Sequence, residues 1–169
     1  MAVLPDLLDA GVVTIFCGSA VGAASARLGA PYAGPGNKFW PTLHETGLTP
    51  RLFAPDDYSD LLGLKIGLTD INKTQSGADT DLTRDADDVD AVIAKIESFQ
   101  PKLIAFTAKR PAQVFMKSVF GRSAINYGLQ PEIISSTAIF VLPSSSGLAI
   151  RWWEPKWWFD AADLHRKFS

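Results

Sequence analysis

The sequence predicts an α/β protein. We expect one domain over residues 1–169, a three-layer α/β/α sandwich around a mostly parallel, about four-stranded sheet. Three observations carry this. Short apolar or β-branched runs recur along the chain, and stretches of helical apolar spacing separate them. Such alternation favours a parallel sheet covered on both faces. A length of 169 residues suits one domain with its own core.

Val12 to Phe16 has the composition of a buried first strand. It runs into Gly18-Ser19-Ala20-Val21-Gly22, a glycine-bracketed turn. Pro31 to Gly36 forms a loop with two prolines and two glycines. A helix follows Asn37, with Pro41 tolerated in its first turn and a stripe through Leu43 and Leu48. Pro55-Asp56-Asp57 opens a short helix to Leu62. Lys65 to Ile71 is the second strand, and a polar loop runs from Asn72 to Thr83. The acidic stretch that follows is expected to start a helix with Val89, Val92, Ile93, Ile96 and Phe99 inward. Pro101 ends it. Leu103 to Thr107 is a third strand, Pro111 opens a helix to Phe120, and Ala138 to Leu142 is a fourth strand. Trp152 to Phe168 is a tryptophan-rich helical segment.

Composition narrows the function classes. Hydrophobic residues make up 47% and charged residues 20%, which excludes global disorder, collagen and coiled coil. The single cysteine, Cys17, excludes an internal disulfide framework and any all-cysteine metal site. His44 and His165 form no local ligand motif. No cofactor or metal is expected. The apolar run Gly11 to Cys17 is too short to span a membrane and lacks a basic flank. A cytoplasmic monomer is expected, nucleoid-associated if bacterial.

The formal net charge of −2 hides a pattern. Asp79 to Asp90 holds six Asp and one Arg, a net of −5. Its spacing lacks the glycine and terminal glutamate of a calcium loop. Residues 101 to 151 hold six Lys and Arg against Glu132 alone, a net of +5. A basic surface on a mildly acidic protein is compatible with a polyanion partner, though such clusters are often only solvated faces.

In parallel α/β folds, ligands bind at the carboxyl ends of the strands. The loops at 18–22, 70–76 and 143–148 should therefore meet at the site. Gly18–Gly22 is neither a Walker loop nor a dinucleotide fingerprint, and alone it indicates only a tight strand-to-helix turn. The combination says more. Phe16-Cys17-Gly18-Ser19-Ala20-Val21-Gly22 precedes Pro31-Tyr32-Ala33-Gly34-Pro35-Gly36-Asn37-Lys38-Phe39-Trp40, and Val141-Leu142-Pro143-Ser144-Ser145-Ser146-Gly147-Leu148 closes the set. From about Val12 to Leu148 the chain resembles the uracil-DNA glycosylase superfamily, in particular its mismatch-specific uracil/thymine-DNA glycosylase branch. Gly67-Leu68-Thr69-Asp70 fits the strand between the motifs.

The resemblance implies a base flipped into a pocket at the strand ends. Gly18 and Ala20 line that pocket. Tyr32 matches the aromatic that stacks on the base, and Asn37 the residue that begins the adjoining helix. Ser144 falls near the sugar. Ser145 and Ser146 are expected to pinch flanking phosphates through hydroxyls and backbone N–H groups. Gly147 and Leu148 match the wedge that fills the vacated stack, and Lys109 matches a phosphate contact. Taken singly, Tyr32 and Leu148 read better as core residues and the serines as a turn; together, at this spacing, they favour the site.

One departure bears on catalysis. The bacterial mismatch branch carries G-x-N-P-G in the first motif, and its Asn positions the attacking water. Here that position is Ala20. The second motif also lacks the histidine used in other branches. Asp70, at the end of the second strand, is the candidate replacement: a carboxylate there can polarise water and offset charge on an oxocarbenium-like sugar. Asn72 and Ser19 are further candidates for orienting the water. The competing role for Asp70 is a local cap.

The expected function is a monofunctional DNA glycosylase that hydrolyses the N-glycosidic bond of uracil in double-stranded DNA, G:U mismatches included, to leave an abasic site. Other deaminated or damaged bases are within the expected range. The alternatives are a non-catalytic binder of damaged or abasic DNA, favoured by Ala20, and a small-nucleotide hydrolase or binder using Gly18–Gly22.

Overall fold

The computed structural model describes residues 2–169. Five strands form one sheet in the order β2-β1-β3-β5-β4: β1 (Thr14–Gly18), β2 (Ile66–Asp70), β3 (Leu103–Phe106), β4 (Gly128–Ile134) and β5 (Thr137–Val141). The first three and β5 are parallel, and β4 pairs antiparallel with β5 along the edge. The helices are α1 (Ala23–Leu28), α2 (Phe39–Glu45), α3 (Val89–Phe99), α4 (Lys109–Phe120) and α5 (Pro155–Phe168), with a 3-10 segment at Pro55–Leu64.

The parallel strands are mostly apolar and buried along nearly their whole length because both faces are covered. Alternate residues serve opposite cores. Phe16, Leu103, Ala105 and Phe140 meet α2, α5 and the 3-10 segment in an aromatic layer with Phe39, Trp40, Leu61 and Trp158. Cys17, Ile104, Phe106, Ile139 and Val141 meet α3 and α4 in a second layer with Ile96, Phe115 and Met116. His165 of α5 ties the first layer together: Nδ1 lies 2.7 Å from Thr14 Oγ1 and Nε2 3.1 Å from Leu64 O.

The fold departs from expectation at three places. The sheet has five strands rather than four. The added strand, β4, contains Pro131, which a central strand could not hold; an edge strand with a register irregularity between Leu129 and Ile133 accommodates it. Gly18–Gly22 is the strand-to-helix turn its glycines suggest, but the helix it opens, α1, goes unmarked in the sequence because its Ala-rich stretch has no apolar stripe. The acidic stretch forms 3-10 turns at Asp79–Asp81 and Arg84–Ala86, and α3 begins only at Val89, where the Asp88 carboxylate caps the Ala91 N–H at 3.0 Å.

Candidate active site

The carboxyl ends of the parallel strands open into one cavity of about 1120 Å³. Parallel pairing sets Gly18 directly beside Asp70, the last residues of β1 and β2. A β-carbon built on Gly18 would lie 2.6 Å from Asp70 Oδ1 and 3.4 Å from both Thr107 Oγ1 and the Tyr32 hydroxyl. A carboxylate and two hydroxyls therefore surround one spot above Gly18, and only glycine leaves it open.

Asp70 has a side chain only 18% exposed. Burial pushes its pKa up to about 6, against the attraction of Lys73, whose Nζ stands 3.7 Å from Oδ2. Lys73 is itself held by Asp6 Oδ1 at 2.9 Å, and Lys95 holds Asp6 Oδ2 at 2.7 Å. Thr69 Oγ1 completes the cluster by donating to Asp6 Oδ1 at 2.7 Å. Burial opposes the Asp6 charge, but hydrogen bonds from Lys95, Thr69 and Lys73 outweigh it and hold its pKa below the usual value. The cluster thus contains two lysines and two aspartates, of which Asp70 and Lys73 line the cavity while Asp6 and Lys95 stand behind them.

Tyr32 sits at φ +53°, an uncommon conformation for a non-glycine residue and one that clusters at functional sites. Its ring stacks on Phe39 with centroids 3.8 Å apart and planes within 10°. Its hydroxyl lies 3.2 Å from Thr107 Oγ1. Burial drives the phenol pKa far above normal, so the ring stays neutral. The Tyr32 loop is fixed further by Trp40 Nε1, which donates to Pro31 O at 3.1 Å, and by Ala33 N–H donating to Ser25 Oγ at 2.8 Å.

The loop after β5 is stitched to that loop. Asn37 Oδ1 accepts from Phe39 N at 3.0 Å and from Ser145 Oγ at 2.9 Å. Lys38 N donates to Ser145 O at 2.8 Å. Gly147 packs on the Pro35–Gly36 backbone so closely that a β-carbon would lie 2.6 Å from Pro35 O. Within the loop, Ser144 Oγ accepts from Ser146 N and Ser146 Oγ from Leu148 N, both at 3.2 Å. Leu148 emerges 91% exposed at the mouth.

Most of the residues singled out from sequence converge here. Gly18, Ser19, Ala20, Tyr32, Asn37 and Asp70 line the cavity, as do Lys109 and Ser144 to Leu148. Asn72 does not line it. Its side chain is fully buried, and its amide is spent on Gln75, donating to Oε1 at 2.8 Å and accepting from the backbone N–H at 3.1 Å. It shapes the loop after β2 rather than facing a water. Ser145 departs too: its hydroxyl is buried on Asn37, so it cannot reach a phosphate. Ser19 Oγ accepts a long 3.5 Å bond from Arg110. Arg110, a member of the basic region, is occupied by Asp87, with Nη2 2.9 Å and 3.2 Å from its two oxygens. Lys109 is half-buried and holds its ammonium 4.6 Å above the Tyr127 ring.

Thr107 and Lys73 are among the cavity residues that escaped the sequence reading. Thr107 directly follows β3, where the strand-end argument also applied. Lys73 lay within the quoted 70–76 loop, but nothing in the sequence tied it to Asp6, 67 positions away in a segment without motif.

This is an α/β/α domain whose ligand cavity lies at the carboxyl ends of its parallel strands. The profile of the Uracil DNA glycosylase superfamily matches residues 5–163, and the chain belongs to that superfamily. Membership supports a DNA glycosylase, a hydrolase with DNA as its partner. Among solved structures, a solution NMR structure from Methanosarcina acetivorans, described as a putative uracil DNA glycosylase, shares the fold. Its TM-score is 0.67 at 23% identity, covering 96% of each chain.

Proposed function

We propose that the chain is a monofunctional uracil-DNA glycosylase of the mismatch-specific type, acting on uracil in DNA, G:U mismatches included, with Asp70 in place of the motif asparagine. The observation that carries this is the Asp70 carboxylate beside Gly18, opposite the neutral hydroxyls of Tyr32 and Thr107. Ala20 lines the same cavity without a polar group.

In this mechanism the flipped nucleotide enters the cavity and Leu148 fills the gap left in the stack. The base lies against Tyr32, whose ring is braced from behind by Phe39. As the N-glycosidic bond stretches, positive charge builds on the sugar and the Asp70 carboxylate offsets it. Asp70 also accepts a proton from the attacking water, which adds at C1′ as the base departs with the bonding pair. The product is an abasic site. The pKa of about 6 places Asp70 mostly ionised at neutral pH and able to take up a proton. Lys109 and those backbone N–H groups of the 144–148 loop that its own serine hydroxyls leave open meet phosphates.

The second reading, a damage-binding protein without turnover, rests on Ala20. Single-turnover excision from a uracil-containing duplex separates the two, run on wild type, Asp70→Asn and Ala20→Asn. Cleavage by wild type that Asp70→Asn slows at least about a hundredfold supports the enzyme reading. An inert wild type beside an active Ala20→Asn supports the binder.

A further inference from the structure

The tryptophans near the end of the chain are left unused by this mechanism, and the structure divides them. Trp158 is buried in the aromatic core, and its indole N–H donates to Pro143 O at 3.1 Å. Trp153 packs against it with centroids 5.9 Å apart. Trp157 is covered by Lys156, 4.0 Å above its ring. Trp152 turns outward and is 62% exposed. It ends the 3-10 turn Ile150–Trp152 and lines the cavity mouth beyond Leu148.

The sequence Leu148 to Trp152 therefore presents three large apolar side chains to water, with Ile150 69% exposed between the other two. Folding gains nothing from that exposure, and apolar surface rimmed by charge marks a contact site. Cations accompany it: the Arg151 guanidinium lies 5.1 Å from the Trp152 ring centroid, and Lys38 stands 5.4 Å over Trp153. The patch is continuous with the cavity that the nucleotide must enter. Leu148 is accounted for as a wedge. An indole face needs a base whose own face is free. A duplex offers few such faces, because its bases stay paired and stacked beside the flipped nucleotide. A single strand offers one at every step. An exposed aromatic beside cations is the arrangement by which proteins hold single strands.

Resting on the uracil-glycosylase reading, we infer that Trp152 is a stacking platform for the unpaired base next to the flipped nucleotide, making single-stranded DNA a substrate of this site. Arg151 and Lys38 lie beside the path of that strand and meet its phosphates.

The test compares one uracil-containing oligonucleotide, single-stranded and annealed, as substrate for wild type, Trp152→Ala and Trp152→Phe. Wild type is expected to excise uracil from both forms. Trp152→Ala is expected to lose roughly five- to hundredfold in kcat/KM on the single strand and less than about threefold on the duplex, with Trp152→Phe retaining most activity. Equal losses on both forms, or no loss on the single strand, overturn the platform. If wild type excises uracil from neither form, the glycosylase reading fails. Fluorescence anisotropy with the same labelled single strand then still decides the platform: unchanged affinity in Trp152→Ala overturns it, and a comparable loss of affinity upholds it.

Discussion

On one lip of the cavity, beside β1 and β2, charges are packed inward: Asp70 faces Lys73, Lys73 and Lys95 clasp Asp6, and none has a side chain more than 22% exposed. On the other lip, after β5, apolar side chains stand in water, with Leu148 91% exposed above a backbone held by Asn37 and Lys38. Charge is costly to bury, and isolated apolar surface is ordinarily covered. Each lip accepts its own cost: the first fits chemistry on a sugar, the second fits intrusion into a stack of bases. Substitutions on the first lip should change rate and pH response. Those on the second should change affinity and strand preference.

Asp70→Asn gives the largest expected effect and separates rate from stability. Excision should slow at least about a hundredfold, equivalent to roughly 3 kcal/mol of transition-state stabilisation. Stability should move the other way. The folded protein holds the Asp70 proton more tightly than the unfolded chain does, because burial lifts its pKa from 3.8 to about 6. Ionised Asp70 therefore costs stability increasingly as pH rises from about 4 through 6. Above that window Asp70→Asn should be more stable than wild type by up to about 3 kcal/mol, and below pH 4 the two should converge. Thermal unfolding between pH 3.5 and 8 checks this. A destabilised variant at pH 8 would mean that Asp70 is a structural cap instead.

Asp87→Ala tests whether the basic region is as free to meet DNA as its charge count suggests. The Asp87 side chain is 2% exposed and receives both outer nitrogens of Arg110. Removing it strands a guanidinium that is only 18% exposed and should cost about 3 kcal/mol by denaturant titration. The double variant Asp87→Asn, Arg110→Met should recover much of that loss. If Asp87→Ala is harmless, Arg110 is free to turn toward the cavity and meet a phosphate.

How far these features could be read from sequence follows from their range. The four parallel strands were legible because both faces are buried and their apolar runs are continuous. The antiparallel β4 was not, since Pro131 and alternating exposure mimic a loop. Asp70 was legible because a strand's carboxyl end is a position in sequence as well as in space. Its neighbours Lys73 and Asp6 were not, because their contact depends on where the segment before β1 lies. The motif serines lie in the loop that lines the cavity, but the direction of each hydroxyl, Ser145's into the protein above all, depends on backbone turns that composition does not encode.

Lys73→Met sharpens the first lip. Lys73 is the cation nearest the Asp70 carboxylate, and Asp6 retains Lys95 in its absence. Without it the Asp70 pKa should rise further, since the attraction that opposes burial is gone. The acid limb of the pH–rate profile should move upward. Activity near pH 6.5 should fall about tenfold while that near pH 9 changes little. A uniform loss at all pH values would instead make Lys73 a substrate contact.

Ser145→Ala is the smallest expected effect, and it decides to which role the serine belongs. The Ser145 hydroxyl is buried and donates to Asn37 Oδ1, which still holds the Phe39 N–H when the serine is removed. A single hydrogen bond with one partner still satisfied is worth about 1 kcal/mol. Stability should fall by that amount. The slope of log affinity against log salt for uracil-containing duplex should not change, because no phosphate contact is lost. A hydroxyl that met a phosphate would give the reverse result: little change in unfolding, uniformly weaker binding and a shallower salt slope. The stitch matters to the second lip because it anchors the backbone from which Leu148 rises. The variant should therefore leave uracil excision nearly intact at low temperature and lose it a few degrees before wild type, as the loop comes away from α2.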